Sequence, residues 1–511
     1  MAHDRTVRPD SDLASRAVGS ECYAPTRRSF FERVGDGALS AALLYLFNKD
    51  IYGGSGLLAD ESTDPGRPPA ARSYDLRPRP PHFRARATSV IQLFMQGGPS
   101  QVDLFDPKPL LDKYHGQTPS KEILNSLDES RSVGGLMRSP FRFARHGQSG
   151  LWVSELLPHL AREVDDIAVI RSMFTTHQNH EPACYIIQSG RMLSGLPALG
   201  AWVVYGLGTV NQNLPAYVVL ADPVKRLPTN EVQNWQAGFL PPVYQGMRLR
   251  SIGSPLLNLK PEWQEPSEQG RLRRDLLARL DRIHRREHPG QLQLDARIAG
   301  YELAARMQLE ATQALDISQE SRATWEMYGI GQARTDNFAR RCLMARRLVE
   351  RGVRFVQVIP GGQDWDTHGR LAETLPQICA ETDRPVAALL KDLRQRGLLD
   401  STLVVWGGEF GRLPIAQVAA KGDFTNAGRD HGPFGFSLWM AGGGVKGGIA
   451  YGATDDIGFA AVQNRVSVAD WHATLLYLLG LHHDQLFFER AGFREKLTST
   501  FPASVVRDIL A

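Results

Sequence analysis

From about residue 88 onward the chain repeats one arrangement: a short, almost wholly apolar run, then a longer stretch with helical periodicity. The runs are Thr88 to Gln96, Ile167 to Met173, Ala216 to Leu220, Val353 to Ile359, Thr402 to Trp406 and Phe436 to Met440. Between them, residues 154–165, 334–351, 374–396 and 467–480 read as helices. Strands that are apolar on both faces belong in a sheet covered on both sides, and helical crossovers make such a sheet largely parallel. The fold class is therefore α/β with a largely parallel central sheet. Ligands of such sheets sit beyond the carboxyl ends of the strands, so polar segments directly after strands are where chemistry is expected.

A length of 511 residues exceeds what one compact core usually fills, so residues 88–511 are read as one large α/β domain carrying insertions. The stretch from about 265 to 322 is helical and Arg-rich. Leu272, Leu276, Leu277, Leu280 and Ile283 mark one helix face there, and Arg271, Arg273, Arg274, Arg279, Arg282, Arg285 and Arg286 occupy the rest. That pattern predicts a solvated helical insertion. Residues 1–59 form a leader. Thr26-Arg27-Arg28-Ser29-Phe30-Phe31 and then the apolar run Ala38 to Phe47 follow the order of a twin-arginine export signal, which predicts a periplasmic or extracellular protein. The run is too short for a stable membrane span, which needs roughly 20 residues. Residues 60–87 read as a Pro/Arg-rich linker. A formal charge of +4 with arginines interspersed among acids gives no nucleic-acid footprint. Cys22, Cys184, Cys342 and Cys379 form no CxxC pair and are too few for a disulfide scaffold; a single bridge stays open.

Four polar segments follow strands: Gln96 to Asp106, Thr175 to Pro182, Gln363 to His368, and Gly407 to Arg412, the last continued by Gly428 to Pro433. They hold His177, His180, Glu181, Asp364, Asp366, His368, Glu409, Asp430 and His431, all capable of metal ligation or proton transfer. Singly these have plain structural readings: Asp-x-His as a capped turn, Glu409 as neutraliser of Arg412, His431 as a satisfied structural histidine. Their recurrence after successive strands points to a site, because like charges gathered at one sheet edge need a cation or a proton-transfer role. Asp470 reads as a helix cap and His472 as structural.

Through FMQGGPSQVDLFDPKP, HGQSGLWVSELLPHLA, DSTLVVWGGEFGR and GRDHGPFGFSLWMAGGGVKGG, the chain resembles the secreted bacterial family known as domain of unknown function 1501, placed in the alkaline phosphatase and sulfatase superfamily. The resemblance covers about residues 82–511. It implies an alkaline-phosphatase-like three-layer α/β/α sandwich, one or two divalent cations, and a nucleophile at a helix start. Carried over residue by residue, it makes Asp366, His368, Glu409 and His431 the metal ligands, with Asp103 as a candidate substitute for the first-strand acid, while His177, Asp364 and Asp430 stay additional candidates from the polar segments after strands. Phe410 stands where a second ligand belongs, and the usual first-strand acid is replaced by Gln96 and Gly97. His180 sits where sulfatases carry the formylglycine precursor, which excludes formylglycine chemistry and leaves His180 as nucleophile, general base or metal ligand, the first two favoured. Arg412 would bind anionic oxygens. The donor mixture favours zinc, manganese or iron over calcium. The implied activity is hydrolysis of a sulfate or phosphate ester on a glycan or small molecule. The alternative is a non-catalytic exported binding protein with a degenerate site.

Overall fold

The structure, a computed structural model, describes residues 74–127, 133–251, 267–288, 291–417, 424–499 and 502–511. The twin-arginine segment, Cys22 and the linker up to residue 73 lie outside the described residues. Residues 74–87 have no regular structure but are tied to the domain, with the N–H groups of Arg79 and His82 donating to the carbonyls of Leu207 and Gly480.

Among the described residues nine strands form the main sheet: β1 (Ser89–Phe94), β2 (Ile167–Phe174), β3 (Tyr217–Ala221), β4 (Met247–Arg248), β5 (Phe355–Ile359), β6 (Thr402–Gly407), β7 (Phe436–Ala441), β8 (Ile449–Tyr451) and β9 (Val466–Ser467). Their order is β8-β2-β7-β6-β1-β5-β3-β4, with β9 also pairing along β2. All pairs are parallel except those of β7, which runs against β2 and β6. The reversal follows from the connection. A two-stranded ribbon, Gly411–Gln417 with Gly428–Gly432, stands between β6 and β7 where a crossover helix would be needed to keep them parallel.

Helices cover both faces. Ile91 and Leu93 of β1 join one core with α5 (Asp336–Glu350) and α6 (Leu371–Gln395). Val90 and Phe94 join the other with α1 (His180–Ser189), α2 (Leu199–Leu207) and α7 (Val468–Leu478). This alternation is the strand period of two acting on a doubly covered sheet, and it makes the three-layer α/β/α sandwich. The insertion contains α3 (Ser267–Glu287) and α4 (Leu292–Leu315). Cys184, Cys342 and Cys379 are buried free thiols. Among the described residues no helix is long and apolar enough to cross a membrane.

Residues 154–165 depart from the helix their spacing suggests. They end a short strand, Leu151–Ser154, and then make two 3-10 turns, Leu160–Arg162 and Val164–Asp166. Leu157, Leu160, Ala161 and Val164 are all buried, as helical spacing would ask. The backbone is diverted, however: Pro158 has no N–H, and the N–H groups of His159 and Leu160 each donate to the buried carboxylate of Asp383 at 2.8 Å.

His472, inside α7, is wholly buried and donates Nε2–H to the Ile187 carbonyl at 2.9 Å. Burial lowers its pKa to about 4, against a small opposing effect of that hydrogen bond. Its folded value therefore lies below the unfolded one near 6.5. The resulting stability is present above that unfolded value and is lost as pH falls through it toward the folded value. Urea unfolding is expected to lose roughly 3 kcal/mol from this group between about pH 7 and about pH 4. His472→Gln is expected to remove that part of the slope.

Candidate metal centre

Strand ends and the ribbon deliver the side chains. β2 runs into Thr175 to Asn179 and then α1, whose first residue is His180. β5 leads through a loop to Asp366 and His368, and β6 ends at Gly407, two residues before Glu409. His431 comes from the ribbon, where it faces Arg412. Between that pair and Arg429 with Ala416, one strand carries Leu413, Pro414 and Ile415 opposite Asp430 alone. Pro414 has no N–H to give, and Ile415 bridges to Leu136 instead. Two glycines permit the close approach. A Cβ on Gly97, at φ +114, would lie 2.4 Å from the Asp366 nitrogen, and one on Gly428 would lie 2.2 Å from the His368 carbonyl carbon.

Ligand atoms of His180, Asp366, His368 and His431 all lie within 4.8 Å of one another. Asp366 is the hub: Oδ1 is 2.8 Å from His368 Nε2, 3.2 Å from His431 Nε2 and 2.5 Å from an Arg412 nitrogen, while Oδ2 is 3.3 Å from His180 Nε2. The other ring nitrogens of His180 and His368 point outward to acceptors. His180 Nδ1 donates to Glu409 Oε1 at 2.5 Å, His368 Nδ1 donates to Gln417 Oε1, and His431 Nδ1 is 4.0 Å from Asp430 Oδ1. Protons kept on Nδ1 of His180 and His368 leave their Nε2 lone pairs directed inward. His368 Nε2 and His431 Nε2 are 2.9 Å apart, a separation at which two lone pairs repel unless a proton or cation lies between them. His180 Nε2 is buried, without a hydrogen bond of its own. The residues present thus fit a cation.

The electrostatics ask for positive charge at the same place. Burial opposes charging His180, but Asp366 and Glu409 beside it outweigh burial and push its pKa up to about 9. Burial would raise the Asp366 pKa, yet the three imidazoles and Arg412 hold it far below the ordinary carboxylate value. His431 moves the other way, lowered by burial and by the nearby Arg412 and His180 despite Asp366.

The model of a family described as proteins of unknown function, DUF1501, matches residues 87–510. The chain belongs to that family. None of the curated protein sequences matches it. Solved structures similar to this DUF1501 chain include the lipoteichoic acid synthase LtaP from Listeria monocytogenes, at 9% identity and TM-score 0.32, covering 80% of this chain and 76% of that one. The sulfatase PsFucS1 from Pseudoalteromonas sp. is 10% identical at TM-score 0.31, covering 78% and 68%. The phosphonate monoester hydrolase SpPMH from Silicibacter pomeroyi is 10% identical at TM-score 0.31, covering 84% and 76%.

The remaining candidates lie around or apart from the cluster. Glu409 is wholly buried behind His180, and both its carboxylate oxygens accept from the Gly97 N–H, at 3.0 and 3.2 Å. Arg412 is wholly buried too, donating to Gly97 O, to Gly98 O at 3.0 Å, to Arg429 O at 3.1 Å and to Asp366. Asp430 flanks the centre, 3.9 Å from His368 Nδ1. Asp364 is paired instead with Lys225 at 2.7 Å, Asp103 with Arg429, and His177 Nδ1 accepts from the Asn179 N–H. Phe410 packs its ring on His180 and His431, at 4.9 and 4.6 Å between centroids. Cys184, one turn after His180, accepts from Gln96 Nε2, and burial with Glu409 nearby raises its thiol pKa well above the ordinary value. Sequence reasoning does not find Gln417, the partner of His368, because it lies 49 residues away with no polar pattern around it.

Proposed function

We propose that this DUF1501 protein is an exported, metal-dependent hydrolase of sulfate or phosphate esters, with one cation held by His180, Asp366, His368 and His431. The observation that carries the reading is the convergence of three Nε2 atoms on one carboxylate, with acceptors behind the imidazoles of His180 and His368. Such acceptors fix the tautomer and raise ligand basicity. Three imidazoles and a carboxylate suit zinc, manganese or iron, whereas calcium takes oxygens. A divalent cation supplies Lewis acidity toward an ester oxygen and lowers the pKa of water.

The chain's own residues have distinct parts in this reading. His180 is a ligand, so water replaces it as the attacking group. Glu409 holds the His180 Nδ1 proton and thereby aims Nε2 at the centre. Arg412 positions Asp366 from below; its bonds to backbone carbonyls leave it no face toward substrate. Phe410 occupies the second-ligand place as an apolar wall, which favours one cation over two. The ester approaches from the side where His368 is most open, at 37% side-chain exposure. Export by the twin-arginine route, read from Arg27 and Arg28, suits a protein that folds around its cation before crossing.

Metal analysis of the purified protein and a screen of aryl sulfates and aryl phosphates test this. Chelation is expected to abolish turnover, and His368→Ala with His431→Ala to abolish metal content. Glu409→Gln is expected to weaken metal affinity by about 10–100-fold, as loss of an outer-shell partner does. Unchanged metal in the double variant would remove the centre. Metal without turnover across the screen would leave a binding protein.

A further inference from the structure

The amphipathic helix α3 is inside out. Leu272, Leu276, Leu280 and Ile283 are between 51% and 58% exposed, while Gly270 is buried and Ala278 and Asp281 are half-buried on the other side. The inner side is tied to α4 by Arg285 and Asp295 at 3.0 Å. At 3.6 residues per turn, Leu272, Leu276, Leu280 and Ile283 fall within an arc of about 80°. Arg279 and Arg286 flank that arc on one side and Arg273 on the other. Over Ser267–Glu287 there are seven arginines against Glu268, Asp275, Asp281 and Glu287, an excess of three positive charges.

We propose that this outward face of α3 docks on an anionic lipid surface. The apolar arc enters the boundary between headgroups and acyl chains, and Arg279 and Arg286 extend to the phosphates above it. A sulfated glycan or a nucleic acid would use the arginines but not the leucines. A second copy would use the leucines but would bring two excesses of positive charge together. The bilayer interface alone among these is apolar beneath and negative above. Docking there would hold the domain against a membrane without a spanning segment.

Flotation of the full chain with vesicles tests the proposal. Vesicles of phosphatidylcholine with an equal part of phosphatidylglycerol are expected to carry the protein, and pure phosphatidylcholine vesicles are not. Salt should weaken the binding. Arg279→Glu with Arg286→Glu is expected to weaken it by about thirtyfold or more, at about fivefold per arginine lost. Leu276→Ser with Leu280→Ser is expected to weaken it by about tenfold or more. All four side chains are exposed, so thermal unfolding should be unchanged in both variants. Equal binding to both vesicle types would overturn the proposal, as would leucine variants that bind like the parent. Self-association in solution that the leucine variants abolish, without vesicle binding, would assign the face to a second copy instead.

Discussion

Replacing Asp366 with asparagine is expected to abolish cation binding and turnover together, and to cost about 3–5 kcal/mol of stability even in metal-free protein. The carboxylate meets His180, His368, His431 and Arg412 at once. Arg412 is wholly buried, and its other hydrogen-bond partners are neutral carbonyls. An amide at position 366 leaves that guanidinium without the anion bonded to it. It also takes the negative charge from among three imidazole nitrogens. Unfolding in a chelator reads the first effect and metal content the second. In the parent, cation at about 100 times its Kd should add roughly 2.7 kcal/mol by mass action, an increment absent from the variant. Pairing Asp366→Asn with Arg412→Gln separates the effects, since the pair is expected to recover stability but not metal. Parent-like cation affinity in Asp366→Asn would show that the centre is not built on this carboxylate.

The sheet is legible in the sequence because burial on both faces keeps its strands mostly apolar, with Ser89, Gln92, Gln357 and Thr402 too few to blur the pattern. All six residues of β1, all five of β5 and all six of β6 are buried. The direction of β7 is not legible, since an apolar run reads the same either way and the ribbon before it decides. The 154–165 segment fails for another reason: two of its backbone N–H groups, those of His159 and Leu160, donate to Asp383, more than 220 residues away. Local spacing reports which side chains are buried, and here two kinds of turn bury the same ones.

At the site, position after a strand is legible and depth is not. Glu409 and Arg412 are three residues apart and both wholly buried, yet one lies beneath His180 and the other beneath Asp366. Their sequence neighbours say only that a carboxylate and a guanidinium follow β6. Which cluster residue each one supports depends on how Gly97 passes between them, its N–H on Glu409 and its carbonyl on Arg412. The missing first-strand acid acquires a physical account in this way. The exit of β1 contributes backbone groups that hold the supports, and φ +114 at Gly97 with the close approach of residues 365–366 leaves no space for a side chain.

Asp103 invites the opposite experiment, in which stability is lost and metal is kept. It follows β1 closely enough to be sought as a ligand, but it lies in the short helix Gln101–Leu104 with no exposure. Its carboxylate takes a bidentate pair from Arg429, at 2.7 and 3.1 Å, and a hydrogen bond from Ser100 at 2.5 Å. Arg429 is equally buried, and its remaining donors reach the carbonyls of Met137, Leu413 and Arg138. Asp103→Asn leaves the buried guanidinium unpaired, and urea unfolding in chelator is expected to show a loss of about 3–5 kcal/mol. Metal affinity of the folded fraction should stay close to the parent's, because Asp103 meets none of the cluster's ligand atoms. Asp103→Leu with Arg429→Met puts apolar groups of similar volume in place of the pair and is expected to recover most of the stability. Arg429 also donates its backbone N–H to the Thr367 carbonyl at 3.0 Å, and this bond, which holds the His368 loop against the ribbon, survives in both variants. Parent-like stability in Asp103→Asn together with lost metal would make Asp103 a ligand and Arg429 its incidental neighbour.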